Sequence, residues 1–277
     1  MVRNISSNGL VGQQKYLQVE LNYKFLTVGF FIALTNMLRD TMSMSSSISQ
    51  QVFDFNLIPE NTIETFYTKD SALINVLKNA AARELNELQL FFWGGVGSGK
   101  THLLQAVCHI AQNKKFRVIY LPMSDVFSYS PEVLKDLNAL DIVCIDDVHL
   151  ISQRKKWEIA LFDLINQMRA AESLIVMSSC QSPSEDIFDL ADLNSRSTWG
   201  PVYKLPQLND DDLKQVLMLH AKKSGLELSD EVCNYLLTRH KRDLSLLVKV
   251  LDKLTRLSLR EQRKITIPFV KQVLSID

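Results

Sequence analysis

Between residues 88 and 180 the chain alternates short, almost wholly apolar runs with longer stretches of mixed polarity. Leu88–Trp93 (LQLFFW) runs straight into glycines, and Arg117–Leu121 (RVIYL), Ile142–Ile145 (IVCI) and Leu174–Met177 (LIVM) follow. Runs this short, rich in β-branched and aromatic residues and bounded by glycine or acidic residues, predict buried strands. The stretches between them carry helical spacing. His102–Gln112 reads as one helix, and Trp157, Leu161, Leu164 and Met168 recur on one face of another. Strands alternating with helices predict an α/β domain whose parallel sheet is covered on both faces.

The period changes after Pro206. Asn209 is a good helix N-cap, and Asp210 to Asp212 follow in the first turn, where the helix dipole favours negative charge. Gly225 ends that helix, Ser229 caps the next, and Leu247, Val250, Leu251 and Leu254 fall at i, i+3, i+4 and i+7. The last part of the chain is therefore expected to be a small helical domain, with its boundary near Leu205–Gln207.

The N-terminal stretch fits neither pattern. Phe25–Leu38 is apolar but only 14 residues long, with Thr27, Thr35 and Asn36 inside it. A membrane span needs roughly 20 apolar residues. A secretory leader is disfavoured because 24 residues precede the run and no A-x-A site follows. Residues 1–41 are read as lying upstream of the true start, at Met42 or Met44, and the Ser-rich Ser43–Ser49 as disordered. No membrane association is expected.

Composition is ordinary for a globular protein of one large and one small domain: 277 residues, 46% hydrophobic, 22% charged. The 31 basic residues balance 31 acidic ones, which argues against DNA as the main direct partner. Cys108, Cys144, Cys180 and Cys233 form no CxxC pair, so they read as free thiols of a reducing compartment rather than a zinc site.

The chemistry lies after the first strand. Gly94-Gly95-Val96-Gly97-Ser98-Gly99-Lys100-Thr101 completes G-x-x-x-x-G-K-[ST], between a predicted strand and a predicted helix that begins near His102. Glycines let backbone N–H groups curl around phosphate oxygens, and the helix N-terminus adds positive potential. Lys100 is expected to reach the β- and γ-phosphates of ADP or ATP, the Thr101 hydroxyl to ligate Mg²⁺, and His102 to belong with them to the nucleotide-binding residues. Asp146 and Asp147 end the third strand, at the edge where ligands bind in such sheets. Asp146 is expected to hold the magnesium and Asp147 to orient the attacking water.

These residues carry a resemblance. The phosphate loop, Ile142–Asp147 and the S-R-x-x-W-G element in Asn194–Gly200 resemble the AAA+ domain of the bacterial replication initiator family, DnaA. WEIALFDLINQM from Trp157 and REQRKITIPFVKQVL near the C-terminus are similar to the Hda branch, DnaA-related regulators that inactivate the initiator. The resemblance covers about residues 50–277. It implies a P-loop AAA+ α/β domain over 56–205 and a helical lid over 206–277.

The resemblance also implies roles. Arg196 is similar to the arginine finger that reaches a neighbouring subunit's nucleotide, Arg242 to the sensor 2 arginine of the lid, and Ser179 to the polar sensor 1 position. Ile63 and Phe66 fall in the segment beside the adenine. A short clamp-binding peptide is implied at residues 50–55, anchored by Gln50 or Gln51 with Phe53 and Phe55. The implied partners are the DnaA initiator and the DNA-loaded sliding clamp, with DNA itself only indirect and a homodimer allowed. The implied location is cytoplasmic, on the nucleoid through the clamp. DnaA itself carries a helix-turn-helix domain after its lid, so a chain ending at Asp277 is not expected to be a complete initiator. The implied function is negative regulation of initiation through hydrolysis of DnaA-bound ATP. The alternatives are an autonomous AAA+ ATPase, such as a helicase loader, and a nucleotide-gated adaptor.

Overall fold

The structure is a computed structural model that describes residues 57–239 and 244–274. Five strands form one parallel sheet: β1 (Gln89–Trp93), β2 (Val118–Pro122), β3 (Ile142–Asp146), β4 (Leu174–Ser179) and β5 (Val202–Lys204). Their spatial order is β2-β3-β4-β1-β5, and every pairing is parallel. The four predicted strands are present, and β5 is a short edge strand that the sequence pattern did not announce.

Strand parity divides the core. Leu90, Phe92, Val118, Tyr120, Ile142, Cys144, Leu174 and Val176 share one face, packed with α1 (Ser71–Ala81) and α2 (Lys100–Asn113). The alternate residues Phe91, Leu121, Val143, Ile145, Ile175 and Met177 are equally buried on the other face. A sheet buried on both faces reads as continuous apolar runs, which is why the strands stand out in the sequence.

Two short helices, α3 (Met123–Val126) and α5 (Ala191–Ser197), flank the long α4 (Lys155–Ala170). Trp157, Leu161, Leu164 and Met168 are the buried face of α4, at the predicted spacing.

The C-terminal helices are α6 (Asp210–Lys223), α7 (Asp230–Arg239), α8 (Leu244–Glu261) and α9 (Ile267–Leu274). They share a core of their own around Leu217, Cys233, Leu236, Leu247, Leu254 and Phe269. Asn209 closes a full capping box: its side chain accepts from the Asp212 N–H while Asp212 accepts from the Asn209 N–H. Gly225 takes φ 74° just past α6, as a helix stop requires. Among the described residues no helix is long and apolar enough to cross a membrane.

Asn209→Ala removes an N-cap, so it should lower stability by about 1 kcal/mol in urea unfolding. A loss that Asn209→Asp fails to restore would show that the cap is not the cause.

Candidate functional site

At the C-terminal end of β1 the chain must turn sharply to start α2. Gly97 and Gly99 take φ 79° and 90°, the left-handed region where a side chain is strained. At Gly94 space is the constraint, because a Cβ there would stand 2.5 Å from the Leu205 carbonyl oxygen. Gly95 and Gly97 face open space, and Val96 is exposed at the loop's tip. Lys100 Nζ donates to the carbonyls of Gly94 (2.8 Å) and Gly95 (3.0 Å). Ser98 Oγ is buried without a hydrogen-bond partner. An open glycine loop, a lysine held over it and an orphaned hydroxyl fit an oxygen-rich anion at a helix N-terminus. A cleft of about 640 Å³ opens beside it, between Val96 and Gly97 on one side and Leu208, Asn209, Leu213 and Leu244 on the other.

Thr101, Asp146 and Asp147 come together beside this loop. The Asp146 carboxylate is buried and accepts three hydroxyl donors: Thr101 (2.6 Å), Tyr120 (2.8 Å) and Ser178. Burial and the adjacent Asp146 charge push the Tyr120 phenol up, so it stays a donor. Ser178 also accepts the Asp147 N–H at 2.9 Å, which pins the turn after β3. Asp147 itself sits at φ 56°, its pKa raised first by burial and then by Asp146.

Strand parity decides which serine does this. Ser178 shares a face with Leu174 and Val176, toward α2 and Asp146, whereas Ser179 points the other way. The Ser179 hydroxyl accepts the Gln181 N–H, and its carbonyl accepts the Gly94 N–H. The predicted sensor position therefore ties β4 to the phosphate loop through its backbone, while Ser178 carries the contact with Asp146.

The segment 57–70 lies over α2 and is held by a polar stripe on that helix. Gln105 Oε1 accepts from Ile58 N and Asn61 Nδ2, His109 Nε2 contacts the Ile58 carbonyl, and His102 Nε2 contacts the Thr62 carbonyl at 2.8 Å. Ile63 is buried in the α2-side core, and Phe66 stands edge-on to His102 and against Gly99. His102 thus supports the predicted adenine segment from below. The same segment reaches the C-terminal helices. Tyr67 donates to Asp212 (3.0 Å), Lys69 pairs with Asp212 (2.8 Å), Lys223 donates to Thr62 (3.0 Å), and the His102 and His220 rings meet edge to face.

Arg196 lies near the opposite end of β1, in the last turn of α5. Gln89, at the start of β1, donates to the carbonyls of Arg196 and Ser197. The buried Glu158 of α4 accepts the N–H groups of Asp189 and Leu190 ahead of α5, and Asn194 bonds both backbone groups of Phe188. The guanidinium stacks 3.5 Å from the Trp199 ring, whose other close cation is Arg169 at 4.4 Å. Arg196 Nε is buried without a hydrogen-bond partner, and among the described residues no carboxylate pairs with it. Arg242, Gln50, Gln51, Phe53 and Phe55 lie outside the described residues.

Residues 58–204, over half of the chain, match the bacterial DnaA ATPase domain, and residues 210–274 match the lid domain of Hda. The chain is an Hda-like member of the DnaA-related AAA+ family. An uncharacterized protein of Haemophilus influenzae is 40% identical over 222 residues, 79% of this chain and 95% of its own length. Domain III of the Thermotoga maritima replication initiation protein DnaA shares the fold at TM-score 0.64 and 24% identity, covering 79% of this chain and 97% of that one. AMPPCP-bound DnaA from Aquifex aeolicus is 28% identical at TM-score 0.60, covering 73% of this chain and 67% of that one. The sheet with its C-terminal lid is thus a DnaA-type AAA+ arrangement.

Within that AAA+ site, sequence reasoning missed Tyr120, Ser178 and Gln105. The first two could be found by counting strand parity from Asp146. Gln105 could be found as a polar residue at i+3 from His102 on an otherwise buried helix.

Burial lowers the His102 pKa to about 4 from 6.5, and the neighbouring His220, Lys223 and His109 push the same way. Its bond to Thr62 opposes this. The unfolded chain therefore takes up more protons between pH 6.5 and about 4. Stability is full above that window and falls as pH drops through it. The loss approaches ~3 kcal/mol at about 1.4 kcal/mol per pKa unit. Urea unfolding between pH 7 and pH 4.5 should show this slope, and His102→Gln should flatten it.

Proposed function

We propose that this chain is a negative regulator of chromosomal replication initiation. Held at the DNA-loaded sliding clamp, it docks on ATP-bound DnaA and promotes hydrolysis of the initiator's ATP through Arg196. The observation that carries this reading is the placement of Arg196. It sits beside the first residue of β1, whereas the chain's own phosphate loop follows the last. A strand of five residues at about 3.3 Å each separates them, so Arg196 serves a neighbour's nucleotide. Trp199 and Phe162 flank the guanidinium and Glu158 fixes the entry to its helix, so the finger is presented in a set direction. A guanidinium so placed stabilises charge on the transferring phosphoryl group.

The chain's own site would hold ADP or ATP with Mg²⁺. Lys100 and the N–H groups of residues 94–101 would take the phosphates, and Thr101 and Asp146 would hold the metal. When bound, magnesium would supply positive charge that offsets that of the phosphates. Thr101 could offer an oxygen lone pair to the metal while its O–H stays on Asp146, which Tyr120 and Ser178 also orient. Ile63, Phe66 and His102 would support the base side, and Arg242, by resemblance to the sensor 2 arginine, would contact the nucleotide. Asp147 orients water if the chain turns over its own ATP. The complete phosphate loop with Asp147 beside it favours, as the second reading, an autonomous ATPase of the helicase-loader kind. Gln50 or Gln51, with Phe53 and Phe55, would dock in the clamp as an extended peptide with aromatic anchors.

The deciding measurement is conversion of DnaA-bound ATP to ADP, with and without this chain, in the presence of clamp loaded on DNA. The regulator reading expects clamp-dependent acceleration. No acceleration, with turnover by this chain alone, would favour the second reading. Arg196→Ala should lower the acceleration at least about 100-fold while nucleotide affinity and melting temperature hold. A collapse in melting temperature would make Arg196 structural.

Trp199→Leu should lower the acceleration about tenfold through lost orientation of the finger, by removing a stack that contributes roughly 1–2 kcal/mol. Wild-type acceleration in that variant would show that the stack does not position Arg196. Lys100→Ala should weaken nucleotide binding, and unchanged affinity would remove the phosphate-loop assignment. Alanine at Gln50, Gln51, Phe53 and Phe55 together should abolish clamp pull-down and spare nucleotide binding.

A further inference from the structure

The turns that follow β3 and β4 bring together three metal-ligating side chains that lie far apart in sequence. Asp147, His149 and Cys180 each offer one ligand atom, and the three atoms lie within 4.8 Å of one another. His149 Nδ1 is 3.9 Å from Asp147 Oδ1 and 3.3 Å from the Cys180 backbone nitrogen, whose N–H it accepts. All three residues are half-buried.

We propose that Asp147, His149 and Cys180 form a binding site for a divalent transition-metal ion of the zinc type, distinct from the magnesium expected at Thr101 and Asp146. The inference does not rest on the nucleotide or the DnaA reading.

The donor set argues for this class of ion. One carboxylate oxygen, one imidazole nitrogen and one thiolate sulfur suit zinc and its neighbours, whereas magnesium and calcium take oxygen ligands. Bonds of about 2.0–2.3 Å in tetrahedral geometry place ligand atoms roughly 3.3–3.8 Å apart. Closing the present cluster around an ion takes movement of about 1 Å in two surface turns. Three protein ligands leave a fourth position for water, as in open zinc sites.

The scaffold already holds the ligands near those places. The Ser178 hydroxyl fixes Asp147 by its backbone N–H, and Asp147 sits in the left-handed region at the head of the turn Val148–Ile151 that carries His149. Cys180 follows the last residue of β4 directly. Accepting the Cys180 N–H requires an unprotonated Nδ1, the form that binds metal, and the ion would take the place of that hydrogen bond. CxxC spacing does not mark such a site, because its ligands follow two strands that are adjacent only in the folded sheet.

The test is titration of the full, untagged, reduced chain with Co²⁺ as the spectroscopic stand-in for zinc, without nucleotide. The expected result is saturation at one equivalent, with a thiolate-to-cobalt band in the near ultraviolet and the visible spectrum of a four-coordinate ion. Zinc should displace the cobalt, and a large excess of magnesium should not. Cys108, Cys144 and Cys233 are buried, so the thiolate band reports Cys180.

Cys180→Ser should remove the band. His149→Gln should weaken cobalt binding at least about tenfold, the smallest loss expected even for a group behind the ligands. Unchanged circular dichroism in each variant would show that the fold is kept, and Asp147→Asn serves as the second ligand variant if His149→Gln unfolds. A chain that shows no saturable cobalt spectrum, or a band that survives in Cys180→Ser, would overturn the proposal.

Discussion

The constraint on which the rest depends is the buried carboxylate of Asp146. Moving a carboxylate out of water costs several kcal/mol unless it is hydrogen-bonded. Three hydroxyls meet it, from Thr101 on α2, Tyr120 on β2 and Ser178 on β4. Hydrogen bonds to a charged group contribute about 1.5–3 kcal/mol each, enough together to offset that cost. The three donors can converge only if β3 lies between β2 and β4 with α2 across their common face, which is the observed order. The Thr101 hydroxyl in this network is also the group the phosphate-loop motif offers to magnesium. On the proposed reading, stability in the free protein and chemistry in the loaded one therefore depend on the same group.

A second consequence follows from strand β1. Its last residue delivers the phosphate loop, and the side chain of its first residue, Gln89, holds the carbonyls of Arg196 and Ser197. Phosphate loop and arginine are thus fixed to opposite ends of one rigid element. No rotamer change brings Arg196 to the chain's own loop. On the proposed reading this rigidity is useful, because a finger used in trans must stay available to a neighbour while its own subunit's nucleotide stays at the other end of the strand.

How much of this could be read from sequence depends on the range of the interactions. The phosphate loop was legible because its work is local: glycine backbone, helix start and lysine occupy consecutive positions. The buried strands were legible because two-sided burial leaves no polar alternation. The Asn209 capping box and the Gly225 stop were legible for the same local reason. Strand β5 was not, since Val202 and Lys204 are exposed and Tyr203 is only partly buried. Ser178 differs from the expected Ser179 by strand parity, which can be counted from Asp146 only once β3 and β4 are known to be neighbours. The clustering of Asp147, His149 and Cys180 depends on the packing of β3 beside β4, a long-range pairing that no local spacing encodes.

The segment 57–70 connects these parts. Gln105, His102 and His109 bind its beginning to the helix that opens at the phosphate loop, while Tyr67 and Lys69 bind its end to Asp212 in the first turn of α6. Both sets of contacts are polar and partly exposed, so each is individually weak and exchangeable with water. The two cores they join are apolar and separate. A ligand can move the lid only by the difference in its affinity for two lid positions. With strong cores and weak links, a small difference suffices, because little must be broken to change the angle. Asp212 is the point where such a change would be felt first. Its carboxylate closes the capping box of α6 and accepts Tyr67 and Lys69 at once, so moving the lid away from the segment strains the start of the lid's first helix.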